Sequence, residues 1–399
     1  MALNMKYTHP TQIPMSKKLF FDWIGDRIPV SSNKVRGDTH PMTWADDGNI
    51  YTGVGDPNWM VIDGKNCTPE WNSSESTYRG ISGQVVEKIY GEPESFQVSR
   101  VHDMPGYTGG GGHGPKPSGM ICVKGALYYA VQNLLGLKTP PHCPKSQHGS
   151  DATIICSSDY GKTWTPELNP MFTDFMDEQF NRADHTWKTT EDQRSEYKGW
   201  RPMFPGYEFG GPSFVQYGKN NEDAVDDYVY AISGDQWDNG RFLRLGRVPA
   251  NAIMDRSAWE FASLDDKGQP IWHSELSASG PILEMERHIS LPEMVYIRSL
   301  NKYILLTWGL HTDFRTPTGS ELTVLESDRP WGPFSLVFYE WMWYKRECCA
   351  YTPRIPLKWF NQETLEGYIL HSGNWETITP YYLPQIRKFR LSVRIDDCR

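Results

Sequence analysis

Short apolar or alternating runs recur along the chain, each closed by a cluster of Gly, Asp, Asn or Pro. The clearest are 42–56, 118–133, 152–164, 212–219, 227–233, 241–248, 293–309, 321–334 and 366–374. Period-two alternation over such lengths predicts β-strands, and no stretch carries the capped 3.6-residue stripe of a long amphipathic helix. Several runs repeat one phrase of strand, tight turn with Gly or Asn, and second strand: DDGNIYTG, VKGALYYA, SLNKYILL and QETLEGYIL. Hairpin-linked strands reset at intervals of roughly 50–80 residues predict a β-propeller.

One local motif supports this. Ser157-Ser158-Asp159-Tyr160-Gly161-Lys162-Thr163-Trp164 fits the S-x-D-x-G-x-T-W Asp-box, a hairpin turn whose Ser and Asp tie down the backbone while the Trp packs between sheets. ESDRPWGPF (326–334) reads as a degenerate relative. The expected fold is therefore all-β, a single β-propeller domain over 1–399 with four-stranded antiparallel blades. Residues 1–35 form a lead-in and 171–206 a long inter-blade insertion. Periodicity alone does not fix the blade number, and five or six blades are compatible with it.

Composition agrees with many short strands: 16 Trp, 21 Tyr and 16 Phe accompany 35 Gly and 29 Pro. Most of these rings belong between sheets, but aromatic faces are also where sugars stack. A net charge of −9 argues against general nucleic-acid binding, which needs a basic surface, yet leaves room for a local basic cleft. No apolar run approaches the length of a membrane span, and no apolar signal segment opens the chain. Seven cysteines show no CxxC spacing, and Cys122 and Cys156 fall in strand-like runs as buried thiols. A disulfide framework is not expected. Two sequons, at Asn66 and Asn72, carry little weight.

The loops that enter the inner strands of a propeller converge on one face, where ligands bind. Two such loops carry histidines: GGGGHGPKPSGM (109–120), with His113 and then Lys116, and SQHGSD (146–151), with His148. A third region, 206–249, offers Tyr207, Tyr228 and Tyr230, then Arg241, Arg244 and Arg247; alternation puts Arg241 and Arg247 on one face and Arg244 on the other. A fourth, 285–303, holds Arg287, His288 and Arg298. Arginines inside a sheet protein either pair with acids or await an anionic substrate. There is no H-E-x-x-H, G-x-S-x-G, EF-hand or phosphate-loop signature.

At 37–56, 111–133, 210–249 and 293–306 the chain resembles the seven-bladed-propeller polysaccharide lyases of the ulvan and rhamnose–glucuronate type. The resemblance implies seven blades and β-elimination at O4 of a uronate, carried by two histidines, a tyrosine and one or two arginines. His113 and His148 match the histidines, and Tyr228 and Arg244 the tyrosine–arginine pair, with Tyr207 and Arg241 in reserve. His148 would work as base or acid with Tyr228, while Arg244, helped by His113, holds the carboxylate. Lys116, Arg287, His288 and Arg298 would contact substrate. No cofactor or metal is required; a structural calcium is compatible with this reading but is not predicted. The implied partner is an anionic polysaccharide, not nucleic acid or membrane, bound by a monomer that is secreted or periplasmic.

The alternative is a propeller glycoside hydrolase, sialidase-like or furanosidase-like, working through carboxylates. Asp38, Asp46, Asp47, Asp235 and Glu293 are its candidates, although Asp46-Asp47-Gly48 suits a hairpin turn better. A non-catalytic glycan-binding propeller is the third reading.

Overall fold

The computed structural model describes residues 5–29, 37–55, 82–105, 116–132, 149, 151–168, 180–181, 186–187, 202–312, 318–343, 350–373 and 384–394. They form strands, with short 3-10 turns between them. Met42–Trp44, Ile50–Gly55, Ser82–Tyr90 and Gln97–Pro105 make the first antiparallel sheet; Lys116–Val123, Ala126–Gln132 and Thr153–Ser157 make the second. The third runs Gly211–Phe214, Tyr228–Gly234, Gly240–Pro249, and is widened to seven strands. The fourth is Glu293–Ile297, Lys302–Leu310, Ser320–Ser327 and Ser335–Glu340. In the fifth, Tyr351–Arg354, Glu366–Ser372 and Gln385–Val393 are completed by Leu19–Pro29 from the other end of the chain.

Apolar side chains fill the gap between each sheet and the next, and the pattern closes. One cluster joins Tyr51 and Val86 of the first sheet to Tyr129 and Ile155 of the second, and another joins Met42 and Val85 of the first to Leu370 and Ile386 of the fifth. Clusters between second and third, third and fourth, and fourth and fifth complete the ring. The propeller-like, all-β architecture stands, but the expectation of seven blades is corrected. The ring has four narrow sheets of three or four strands and one wide one. The runs 212–219, 227–233 and 241–248 supply three neighbouring strands of the third sheet. Its outer edge is split, with Leu283–Ile289 pairing one half of Gly240–Pro249 and Glu260–Leu264 the other.

The Asp-box forms as its residue types require. Asp159 Oδ1 accepts from the backbone N–H groups of Lys162 and Thr163 (3.0 and 2.9 Å), and Ser157 Oγ accepts from Gly161 N–H (2.8 Å). Burial pushes the Asp159 carboxyl up, but these bonds outweigh it and hold the group down at about 2. Trp164 goes into the cluster between first and second sheets. Of the cysteines, Cys122 is a buried free thiol, its pKa pushed up to about 11 mainly by burial, and Cys156 is partly buried and free; the other five lie outside the described residues.

The ring axis is plugged by a fully buried arginine. Arg354, on the inner strand of the fifth sheet, donates from Nε to Thr39 O (3.1 Å) and from Nη1 to Pro292 O (3.2 Å) and Ser213 Oγ (3.5 Å). One guanidinium thus ties the first, third and fourth sheets to the fifth. Arg354→Met leaves these acceptors without a donor and Glu293 without its counter-charge. It is expected to lower the free energy of unfolding by about 3–5 kcal/mol in urea titrations. Arg298→Ala, at an exposed ion pair, is expected to change it by less than about 1 kcal/mol.

Candidate functional site

The inner strands all begin at the same end of the ring, so the segments entering them meet around one mouth of the axial channel. The floor of that mouth is built from described residues, and 56–81, 106–115, 133–148, 313–317, 344–349 and 374–383 lie outside them.

Asp38 stands where the first inner strand is entered, 7 % exposed, and its Oδ2 accepts from the Tyr351 hydroxyl (3.3 Å). Backbone bonds in both directions with Gly55 fix it (2.8 and 3.0 Å). A Cβ at Gly55 would meet Asp38 Oδ1 at 2.5 Å, so a side chain there would displace the carboxylate. The next two residues, Thr39 (φ 66°) and His40 (φ 40°), are both left-handed. A β-branched residue in that region is strained by roughly 1–3 kcal/mol, and such strain gathers at functional sites. Thr39 N–H donates to Ser372 Oγ (3.1 Å), which bonds Thr352 Oγ1 (2.9 Å), itself left-handed at φ 49°.

Around Asp38 the floor is aromatic and amide-lined. Trp237, from the turn between two strands of the third sheet, meets Trp308 edge-on (5.2 Å) and packs against Tyr351 (5.5 Å). Gln132 lies opposite Lys116 in register, and its Oε1 fits between Gly149 and Gly211. Three fully or almost fully buried polar atoms here, Thr39 Oγ1, Gln132 Oε1 and Trp308 Nε1, have no protein hydrogen-bond partner. Buried groups of this kind are normally satisfied, by water or ligand where protein does not serve. Burial pushes His40 and His371 down to about 3, so both are neutral; His40 Nε2 bonds Gly37 O (3.2 Å). Beneath them Glu293, fully buried, is pushed up to about 7 by burial, against the pull of Arg354 and of the Ile355 N–H that donates to it.

The residues expected from sequence are dispersed. His113 and His148 lie outside the described residues, although Gly149, next to His148, reaches the floor. Lys116 opens the inner strand of the second sheet, 4 % exposed, at the mouth. Tyr207 lies in the segment entering the third sheet. Arg244 faces Glu208 of that segment at 3.9 Å with 13 % of its side chain exposed, and its Nε and Nη1 have no protein hydrogen-bond partner. Tyr228 does not join it: Arg244 pairs with Ser233, five residues or about 17 Å along the strand from Tyr228. Arg247 covers the Tyr228 ring at 4.2 Å instead. Arg241 is paired with Glu284 and Glu286, Arg247 with Glu260, and Arg298 with Asp223 at the far end. Arg287 is exposed and donates to Thr312 O (2.8 Å); His288 bonds Glu321.

Of the carboxylates, Asp47 holds a hairpin turn by accepting from Asn49 N–H (2.9 Å) and Tyr51 OH (2.9 Å), with Asp46 beside it. Asp235 likewise holds a turn, accepting from Arg241 and Phe242 N–H (2.9 and 3.2 Å). Sequence reasoning missed Trp237, Trp308, Tyr351, Gln132 and Arg354. The one visible signal was a charge inside the apolar run around Arg354.

No family model and no curated protein matches the chain. Among solved structures, a putative hydrolase from Bacteroides ovatus ATCC 8483 is similar at TM-score 0.51 and 13 % identity, covering 92 % of this chain and 94 % of that one. The α-L-arabinofuranosidase of Podospora anserina in complex with cellotriose is similar at TM-score 0.44 and 9 % identity, covering 94 % and 97 %. Likeness at such identity is likeness of fold, and it carries that conclusion from the first of these structures alone.

The Glu293 carboxyl generates a pH dependence of defined sign. The folded protein holds its proton more tightly than the unfolded chain, so the stability it contributes is complete below the unfolded carboxylate value and is lost as pH rises through about 7. Glu293→Gln removes that loss. Between about pH 5 and pH 8 the wild type is expected to lose roughly 2–3 kcal/mol relative to Glu293→Gln in urea unfolding.

Proposed function

We propose that the protein is a carbohydrate-active enzyme, a propeller glycoside hydrolase that works at the axial mouth. The observation that carries this is Asp38, a buried carboxylate oriented by the Tyr351 hydroxyl and followed by two left-handed residues, on a floor walled by Trp237, Trp308 and Tyr351. A similar fold bearing a hydrolase's name agrees with it. Asp38 takes a proton from water, the oxygen of that water bonds to the anomeric carbon, and the glycosidic C–O bond breaks. The leaving oxygen takes its proton from a second carboxylic acid in the same step.

One observation favours uronate β-elimination as the second reading. Arg244 is largely buried, the Glu208 carboxylate stands 3.9 Å from it, and two of its nitrogens have no protein hydrogen-bond partner. A guanidinium so placed suits a substrate carboxylate, whose neutralisation lets a base remove the C5 proton while the C4–O4 bond breaks and C4=C5 forms.

The two chemistries leave different products from ulvan, gum arabic, arabinogalactan and other glucuronate-capped glycans. Hydrolysis is expected: new reducing ends, no ultraviolet absorbance from a 4,5-unsaturated uronate, and a 10²–10⁴-fold loss in Asp38→Asn. Rising absorbance that survives Asp38→Asn but not Arg244→Ala or His148→Ala would replace hydrolase by lyase. Binding without any product would leave the non-catalytic propeller.

A further inference from the structure

Outside the mouth, the rim of the fourth sheet presents an aromatic ring that the fold leaves open. Trp341 follows the strand Ser335–Glu340 and is 53 % exposed, the one tryptophan among the exposed large apolar residues described; Trp343, two residues on, is fully buried. Trp341 lies flat on the His311 imidazole, with ring centroids 3.8 Å apart and planes 15° from parallel. The imidazole is itself packed close against backbone: His311 N–H donates to Gly319 O (3.0 Å), and a Cβ at Gly319 would come within 2.9 Å of the ring. Stacking covers one face of the indole and turns the other outward.

The next residue carries the second half of the argument. Thr312 O accepts from Arg287 Nη2 (2.8 Å), which sets an exposed guanidinium beside the platform, and from Asn239 Nδ2 (2.7 Å). Asn239 belongs to the turn that places Trp237 at the mouth, so platform and mouth share one support. A lone surface tryptophan needs no explanation; a flat, braced one beside a cation does.

We infer that Trp341, with Arg287 beside it, is a glycan-binding subsite that stacks one sugar ring and pairs with a carboxylate on it, extending the contact of a chain held at the mouth. Pyranose C–H faces stack on indole, and a guanidinium recognises carboxylate. This rests on the reading that the protein acts on glycans.

The test uses the intact chain carrying Asp38→Asn, titrated calorimetrically with glucuronate-capped arabinogalactan oligosaccharides and with the same oligosaccharides after their carboxyls are reduced to alcohols. Trp341→Ala is expected to weaken both about tenfold and Trp341→Phe to recover most of the loss. Arg287→Gln is expected to weaken only the acidic oligosaccharide, by a factor that shrinks with added salt. Unchanged affinity in Trp341→Ala overturns the rim subsite and leaves the hydrolase reading standing. Failure of the parent protein to bind either oligosaccharide overturns both.

Discussion

A single buried cation on the axis organises this ring. Arg354 is held by carbonyl and hydroxyl oxygens from three other sheets and opposed by Glu293. Packing between neighbouring sheets fixes each pair, but apolar contacts are non-directional and leave the sheets room to slide. Bonds from one guanidinium to several sheets remove that freedom, because its donors lie in one rigid plane. The inner strands are therefore held at a common height, and the floor above them inherits that register.

The site on that floor is built from backbone as much as from side chains. Left-handed Thr39, His40 and Thr352 bend the entries of two inner strands so that Asp38 and Tyr351 meet. The deeper layer is kept uncharged where it can be: burial holds His40 and His371 neutral and raises Glu293.

Local structure was legible in the sequence because local structure has local causes. The turns of DDGNIYTG, VKGALYYA and SLNKYILL form where their Gly and Asn residues adopt positive φ, and the Asp-box closes on its own Ser and Asp. The blade number was not legible: one sheet takes strands from Gly211 to Ile289 and from Lys6–Tyr7, and pairing between distant segments leaves no periodic mark. The site was legible only in part. Asp38 and Lys116 could be picked out because they precede inner strands, whereas Tyr351 and Trp237 read as core until the ring brings them together. Pairing Tyr228 with Arg244 failed because both lie on one sheet yet at different heights, which alternation along a strand does not reveal.

The way the last sheet is completed has a consequence for how the chain reaches this state. Leu19–Pro29 forms the outer edge of a sheet whose other strands begin at Tyr351, so a segment near one end must wait for nearly the whole chain before it finds its partner at Gln385–Val393. During synthesis the earlier sheets can assemble in order against one another while Leu19–Pro29 remains a strand without a ladder. Such an edge is a template for pairing with other chains. Ring closure is thus the slow, non-local step of folding, set by contact order rather than by the strength of any one blade, and the interval before it is when the protein depends most on being kept apart from its own copies.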